Sequence, residues 1–294
     1  GLIITAFSIP AGIVIPFAGY LSDRFGRKVI IAPALIIYGL GGLIAGFASL
    51  FLKNPYSVLI LGRIVQGIGA GGTYQLAMAM VGDIFQSNER TKALGLLEAS
   101  NGLGKVVSPI AGAALGLIIW FAPFFVYGIL AIPIALAVWF LTKEPTENKE
   151  GISSYKNYFK KLGKIFEEKG VSLISSFLAG AVVLFILFGT LSYISDVLED
   201  TYKIRGFSTG LLIAIPVASM SITSYLSGSF LTERTNLLKI AIITGLLLVT
   251  IPMAVIAFVT NLYVLFTFLV ILGIGTGIVL PAVNTLITSA ISSK

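Results

Sequence analysis

The stretch Gly19-Tyr20-Leu21-Ser22-Asp23-Arg24-Phe25-Gly26-Arg27-Lys28 is a short charged turn between two long apolar runs. Neither residues 2–18 nor residues 29–52 contain a charged side chain, so each run can cross a hydrocarbon core of about 30 Å as an α-helix. Gly26 suits the left-handed backbone that such a turn needs. Because Arg24, Arg27 and Lys28 are clustered here, the positive-inside rule places the turn on the cytoplasmic side of a membrane.

The composition indicates a membrane protein over the whole chain. Of the 294 residues, 56% are hydrophobic and 11% are charged, and the mean hydropathy is +0.99, which a soluble domain of this length does not tolerate. The net charge of +7 comes mostly from cations in short loops between apolar runs, which indicates topology rather than nucleic-acid binding. Cysteine and histidine are absent, which excludes thiolate and imidazole metal sites and the common nucleophile–base pairs. We therefore expect no enzyme activity, no cofactor and no metal, and any proton transfer has to use carboxylates.

Apolar runs of spanning length predict an all-α polytopic membrane fold. With the charged turn inside, the alternation of spans puts most other Lys and Arg residues on the same side, as the positive-inside rule requires. The cations left on the outer side are Lys53, Lys203 and Arg205. The nine predicted spans are residues 2–20, 29–51, 57–82, 92–117, 120–141, 171–194, 208–231, 238–258 and 262–289.

The longest polar interruption divides the chain into two membrane halves. It begins near Lys143-Glu144-Pro145, a sequence that ends a helix, and continues with apolar residues at helical spacing among lysines. This pattern is typical of a helix lying on an anionic lipid surface, with a docking site for a partner protein as the alternative. We expect an N-terminal bundle over residues 1–141, a cytoplasmic amphipathic linker over 142–170 and a C-terminal bundle over 171–294.

The two halves resemble each other in sequence. Asp23-Arg24 aligns with Glu233-Arg234, and Gly67-x-Gly69-x-Gly71 has a counterpart in Gly273-x-Gly275-x-Gly277 at nearly the same offset. Both glycine runs lie in apolar helices with no preceding strand, so we interpret them as helix-packing surfaces rather than nucleotide-binding loops. A parallel repeat of this kind predicts a substrate site between the two halves.

The order G-x-L-x-D-R-x-G-R-K at residues 19–28 resembles the loop 2/3 signature of the major facilitator superfamily of secondary transporters and matches it at every fixed position. The resemblance implies two six-helix bundles, of which the nine spans would be helices 2–10. It also implies that the turn is a cytoplasmic gate that contacts the next cytoplasmic loop. The gate residues implied are Gly19, Asp23, Arg24, Gly26, Arg27, Lys28, Asp83, Glu89 and Arg90.

The third span contains Leu59-x-x-x-Arg63-x-x-Gln66-Gly67, which resembles the fourth-helix motif of proton-coupled facilitators. Placing a cation at mid-helix in a membrane costs about 2.5–3.5 kcal/mol, so one is retained chiefly where it faces a bundle interior or a water-filled cavity. The alternative is that Arg63 extends to the outer surface. The resemblance implies that Arg63 and Gln66 take part in proton movement, whereas the equivalent of Arg63 in the second half is Leu269.

In the span 92–117, small residues recur every four positions and predict a ridge for tight helix contact. These residues are Ser100, Gly104, Ser108, Gly112 and Gly116. The segment 104–113 resembles the antiporter motif G-x-x-x-G-P-x-x-G-G, which implies export, although Ser108 and Ala113 replace two of its glycines. The motif positions that match or nearly match are Gly104, Ser108, Pro109 and Gly112.

Glu98, Asn101 and Lys105 are spaced three and four apart on another face of the same span and predict a polar stripe facing a central cavity. Glu98 is the only carboxylate within any predicted span. We therefore hypothesise that protonation of Glu98 alternates with substrate binding. The alternative is that Glu98 and Lys105 form a buried pair that only neutralises itself.

Together, these motifs resemble the drug:proton antiporter-1 branch of the facilitators, which are bacterial exporters of drugs or metabolites. The resemblance implies that a monomer in the plasma membrane moves an amphipathic small molecule outward while protons move inward. Proton-coupled uptake of a sugar or nutrient and a non-transporting scaffold or sensor are the alternatives. The cavity-lining side chains implied by the resemblance are Gln75, Phe185, Phe188 and Asn284.

Overall fold

The computed structural model describes residues 2–85, 87–144, 155–230 and 235–292. Its regular secondary structure in these ranges is entirely α-helical. Eight stretches of the described helices are long and apolar enough to cross a membrane, which confirms the predicted all-α polytopic fold. The helices are α1 Leu2–Phe25, α2 Arg27–Phe51, α3 Tyr56–Ala70, α4 Tyr74–Ile84, α5 Ser87–Ile118, α6 Ala122–Leu141, α7 Tyr155–Asp200, α8 Phe207–Phe230, α9 Thr235–Ile256 and α10 Leu262–Ser292.

The predicted third span, residues 57–82, forms two helices instead of one. α3 has 15 residues and α4 has 11, with Gly71, Gly72 and Thr73 between them. The amides of Gly72 and Thr73 each bond to a carbonyl three residues back, at 3.1 and 3.3 Å, so the chain tightens and then begins a new helix. Two consecutive glycines weaken a helix at this point because glycine loses the most backbone freedom on folding. This break accounts for the difference between nine predicted and eight continuous spans.

The amphipathic segment and the predicted span 171–194 belong to one helix. α7 runs for 46 residues from Tyr155 to Asp200, and no proline interrupts it. The side chains of residues 155–162 and the whole of residues 145–154 lie outside the described part of the chain. The prediction that this segment lies on lipid therefore stays a prediction.

Contacts divide the chain into two compact units, Gly1–Leu97 with Leu115–Ile152 and Glu98–Ala114 with Ser153–Lys294. The expected division at residues 142–170 keeps all of α5 in the first half, whereas the contacts assign residues Glu98–Ala114 to the second unit. The reason for the difference is local packing, because a Cβ atom on Gly210 of α8 would lie 2.7 Å from the Pro109 carbonyl oxygen.

The first glycine run packs α3 against two neighbouring helices of its own unit. Gly67 and Gly71 lie against α1, whereas Gly69 lies against α2. A Cβ atom on Gly71 would stand 2.8 Å from the carbonyl oxygen of Ala11, closer than real side chains approach. The glycines therefore allow the helix backbones to touch, as the sequence predicted.

The second glycine run repeats this arrangement in the second unit. Gly273 and Gly277 lie against α8, whereas Gly275 lies against α9. A Cβ atom on Gly275 would stand 2.7 Å from the carbonyl oxygen of Gly245. The helices α8, α9 and α10 thus pack through the same alternation as α1, α2 and α3, which supports the predicted repeat. The aligned pair Glu233-Arg234 lies outside the described residues.

Three glycines of the predicted small-residue ridge on α5 make no close contact with the described residues. Around Gly104, Gly112 and Gly116, no described atom lies within 4 Å of the position of an added Cβ. Instead, Gly210 of α8 approaches a neighbouring face of α5 at Pro109. The expectation of tight contact is therefore wrong at these three glycines, because α8 supplies the small residue where it crosses α5.

Candidate functional site

The charged turn is closed by a single residue between two helices. α1 ends at Phe25 and α2 begins at Arg27, so only Gly26 separates them. The φ angle of Gly26 is 110°, a conformation that residues with a side chain rarely adopt. The reversal of the chain therefore depends on glycine at this position, as the sequence predicted.

Arg27 is the centre of an ion-pair cluster on this turn. Its Nη1 lies 2.6 Å from Asp23 Oδ1 and donates to Ser22 Oγ at 2.7 Å. Its Nε donates to Asp83 Oδ2 at 3.0 Å. Only 19% of the Arg27 side chain is exposed, so water screens these interactions less than at an open surface. One guanidinium thus joins the end of α1 to the end of α4.

Sequence reasoning gave Glu144 no role beyond the end of a helix, but Glu144 completes this turn. Its carboxylate accepts hydrogen bonds from the backbone amides of Arg27 at 2.5 Å and Lys28 at 2.9 Å. These amides begin α2 and have no partner within the helix, so a carboxylate is favoured there. In return, Lys28 Nζ donates to the Thr142 carbonyl oxygen at 3.1 Å and lies 5.5 Å from the ring centroid of Trp139.

The other predicted gate residues lie outside this cluster or are not described. Arg24 is exposed and stacks over Phe25, 5.3 Å from the ring centroid. Gly19 lies within α1 with open space where a Cβ atom would stand. Glu89 is exposed in the first turn of α5, and the side chain of Arg90 lies outside the described residues.

Arg63 is held on α3 by polar and aromatic groups from neighbouring helices. Its Nε donates to the carbonyl oxygen of Ile3 at 3.2 Å, and Nη1 donates to Gln66 Oε1. The guanidinium carbon lies 4.6 Å from the centroid of the Phe7 ring and 6.0 Å from that of Phe124, within the range of cation–π attraction. These contacts favour a position inside the first unit over extension to the outer surface.

Gln66 is fully buried beside Arg63, with 0% of its surface exposed. Its Nε2 makes no hydrogen bond of good geometry with the described residues. A buried polar group without a full partner costs about 1–3 kcal/mol. The ion pairs of the described residues involve Arg27 and Arg205, not Arg63. The Arg63–Gln66 cluster therefore lowers the free energy of unfolding of the first unit.

The second unit has aliphatic side chains at the equivalent positions. Counting from the glycine runs, Leu269 corresponds to Arg63 and Leu272 corresponds to Gln66. Both leucines are 0% exposed and belong to hydrophobic clusters of that unit. The same helix packing thus forms without a polar pair, so the fold itself does not require Arg63 and Gln66.

The polar stripe on α5 is described only in part. Asn101 and Lys105 are half-buried, and the side chain of Glu98 lies outside the described residues. The pairing of Glu98 with Lys105 and its role in proton movement stay predictions.

The four predicted cavity residues are not brought together within one unit. Gln75 belongs to the first unit and Phe185, Phe188 and Asn284 to the second. All four are exposed on their units, with 80% exposure for Phe185 and 54% for Phe188. α7 packs through another face, on which Val183 is 0% exposed. Their role in substrate binding stays a prediction.

The sequence matches one family model over its whole length. The model is that of the Major Facilitator Superfamily, and it covers residues 1–294. The chain belongs to the Major Facilitator Superfamily. As a facilitator, it is a multi-pass membrane transporter and not an enzyme, which agrees with the fold and the function class predicted from the motifs.

Two curated proteins are similar to this facilitator along almost all of its length. The Bacillibactin exporter of Bacillus subtilis (strain 168) is 41% identical over 295 residues, which is 100% of this chain and 73% of that protein. The class B tetracycline resistance protein of Escherichia coli is 28% identical over 297 residues, covering 97% of this chain and 69% of that protein. By name, one of these relatives is an exporter and the other is a resistance protein.

Solved structures share the fold of this facilitator. The crystal structure of the human organic anion transporter MFSD10 (TETRAN) matches 97% of this chain and 69% of that chain, with a TM-score of 0.71 and 20% identity. At this identity, the likeness shows the fold alone.

Proposed function

We propose that this facilitator exports amphipathic small molecules by alternating access and couples their movement to protons. The observation that carries the proposal is the Arg63–Gln66 cluster, which is costly for its unit and has buried leucines at the equivalent positions of the other unit. A charge that the fold does not need and that the membrane penalises is retained for function. The similarity to the Bacillibactin exporter supports outward transport.

Glu98 is the proposed proton carrier. In this mechanism it binds a proton from the outer side after substrate leaves and releases the proton to the inner side when substrate binds. Lys105 lies on the same face of α5, two turns further along the helix, and its positive charge favours release of the proton. Arg63, which belongs to the first unit, supplies a further fixed positive charge.

The Asp23–Arg27–Asp83 cluster is the proposed cytoplasmic gate. Its pairs are partly shielded from water and join two helix ends, so they can stabilise one access state. Alternating access then requires that the free energies of the two states stay close enough for substrate and protons to shift the equilibrium. The linker is proposed to lie on the cytoplasmic side of the plasma membrane.

Transport by inside-out vesicles that contain the protein tests this proposal. With an imposed proton gradient, we expect bacillibactin or tetracycline to accumulate inside the vesicles and to dissipate the gradient, as a pH-sensitive dye reports. Glu98→Gln removes the carrier, and we expect it to lower proton-driven uptake by about 100-fold. Arg63→Gln should lower uptake by about tenfold. Lys53→Gln, at an exposed outer position, is the control and should transport normally.

Two results would overturn the proposed export, and a third would exclude the proposed proton carrier. Substrate movement in the opposite direction, driven by the same gradient, would identify an uptake symporter. Folded protein that moves neither a substrate nor protons would identify a scaffold or sensor. Unchanged proton-driven uptake in Glu98→Gln would exclude Glu98 as the carrier.

A further inference from the structure

We propose that Glu144 is a positioning residue of the cytoplasmic turn, because it holds Arg27 where the guanidinium pairs with Asp23 and Asp83. Glu144 binds the backbone of the same residue whose side chain forms the cluster. The consequence of this arrangement for transport rests on the proposed function of the cluster as a gate. The geometric part of the inference does not depend on any substrate.

The carboxylate of Glu144 occupies space that exists only because residue 26 is glycine. A Cβ atom on Gly26 would stand 2.7 Å from Glu144 Oε1 and 2.8 Å from its carboxyl carbon. Gly26 thus gives the turn its left-handed φ angle and also leaves room for the carboxylate above the first amides of α2. The position of the Glu144 carboxylate therefore depends on glycine at residue 26.

The contact between α2 and the end of α6 is reciprocal. Glu144 supplies negative charge to the N-terminus of α2, and Lys28 supplies positive charge to the Thr142 carbonyl beside the end of α6. Both placements match the helix dipoles.

The loss of the Glu144 charge should loosen Arg27 without removing any member of the ion-pair cluster. The amides of Arg27 and Lys28 would lose a charged acceptor, and the start of α2 would become more mobile. Ser22 reports this change because it is 2% exposed and accepts a hydrogen bond from Arg27. When Arg27 moves away, position 22 becomes accessible from the cytoplasmic side.

Cysteine labelling measures this accessibility directly. The chain contains no cysteine, so Ser22→Cys introduces a single thiol. In inside-out vesicles, a membrane-impermeant maleimide should react about tenfold faster with Ser22→Cys/Glu144→Gln than with Ser22→Cys alone. Glu144→Asp keeps the charge on a shorter side chain, and its rate should fall between these two.

Glu167→Gln is the matched control, because it removes one exposed carboxylate from α7. It should leave the labelling rate of Ser22→Cys unchanged. An unchanged rate in Glu144→Gln, or an equal increase in Glu167→Gln, would overturn the inference.

A double-mutant cycle separates positioning of Arg27 from a general loosening of the turn. Arg27→Gln alone should also raise labelling, and adding Glu144→Gln to it should raise the rate by less than twofold more. Fully multiplicative effects would show that Glu144 acts independently of Arg27 and would overturn the inference. Because labelling needs no substrate, it gives an answer even if the vesicle experiment shows that the protein is not an exporter.

Discussion

Arg63 and Leu269 occupy equivalent registers on α3 and α10, yet their surroundings have opposite chemistry. Arg63 contacts a carbonyl, an amide and aromatic rings, whereas Leu269 lies in an aliphatic cluster and is 0% exposed. A helix register thus fixes where a side chain points, but its neighbours decide whether a charge is tolerated there.

Substitution of Leu269 by arginine should lower the stability of the protein more than substitution of Arg63 by leucine. Arg63→Leu should still fold, because the second unit forms the same helix packing with leucine, but proton-driven transport should fall by at least about tenfold. Leu269→Arg buries a cation without a partner and should cost about 2.5–3.5 kcal/mol. Thermal unfolding in detergent measures both effects. A lower melting temperature for Arg63→Leu than for Leu269→Arg would contradict this prediction.

The resemblance named both sides of the contact between the charged turn and the end of α4, although these residues are 56 positions apart. The turn, its glycine and the residues Arg27 and Asp83 were all expected from the resemblance, and the structure places these two side chains 3.0 Å apart. Glu144 was not expected as a member, because its partners lie 117 and 116 residues away in the sequence. No local pattern marks an acid that caps a distant helix.

Among the helices, the packing faces were predicted correctly on α3 and α10 but not on α5. In both runs, successive glycines face two neighbouring helices in turn, so each of these glycines lies against a helix backbone. The ridge on α5 has a similar content of small residues, but its glycines meet no described atom within 4 Å. Small residues permit close approach, whereas the partner helix determines whether the approach occurs.

A methyl group at a packed glycine should therefore destabilise the protein, and one at an open glycine should not. Gly275→Ala places a Cβ 2.7 Å from the Gly245 carbonyl oxygen, and the forced separation of α9 and α10 should cost about 1–3 kcal/mol. Gly189→Ala is the control, because nothing lies within 4 Å of its Cβ position on α7. The midpoints of thermal unfolding of both variants measure the difference. Equal midpoints would show that the close approach of α9 and α10 does not matter for stability.

Over the whole molecule, the distribution of cations predicts which ends of the helices face the cytoplasm. Lys53 lies in the loop between α2 and α3 and Glu167 lies in the first half of α7, and both are exposed. If the charged turn is cytoplasmic, these two positions are on opposite sides of the membrane.

Single-cysteine labelling of whole cells tests this topology. Lys53→Cys should react with an impermeant maleimide added outside, whereas Glu167→Cys should react only after the cells are opened. The absence of native cysteine makes the unmodified chain the blank for both measurements. Labelling of Glu167→Cys in intact cells would reverse the predicted orientation.

The sequence by itself determined the fold class, eight of the nine predicted membrane spans, the charged turn and the glycine runs, because hydrophobic length and backbone freedom are properties of short stretches. The structure showed that α3 and α4 are separate helices and that α7 continues through the amphipathic segment. Tertiary packing alone brought the middle of α5 against α8. It also brought Glu144 to the start of α2. These two contacts join groups that are far apart in the sequence, and no short stretch of sequence specifies which distant groups will lie together.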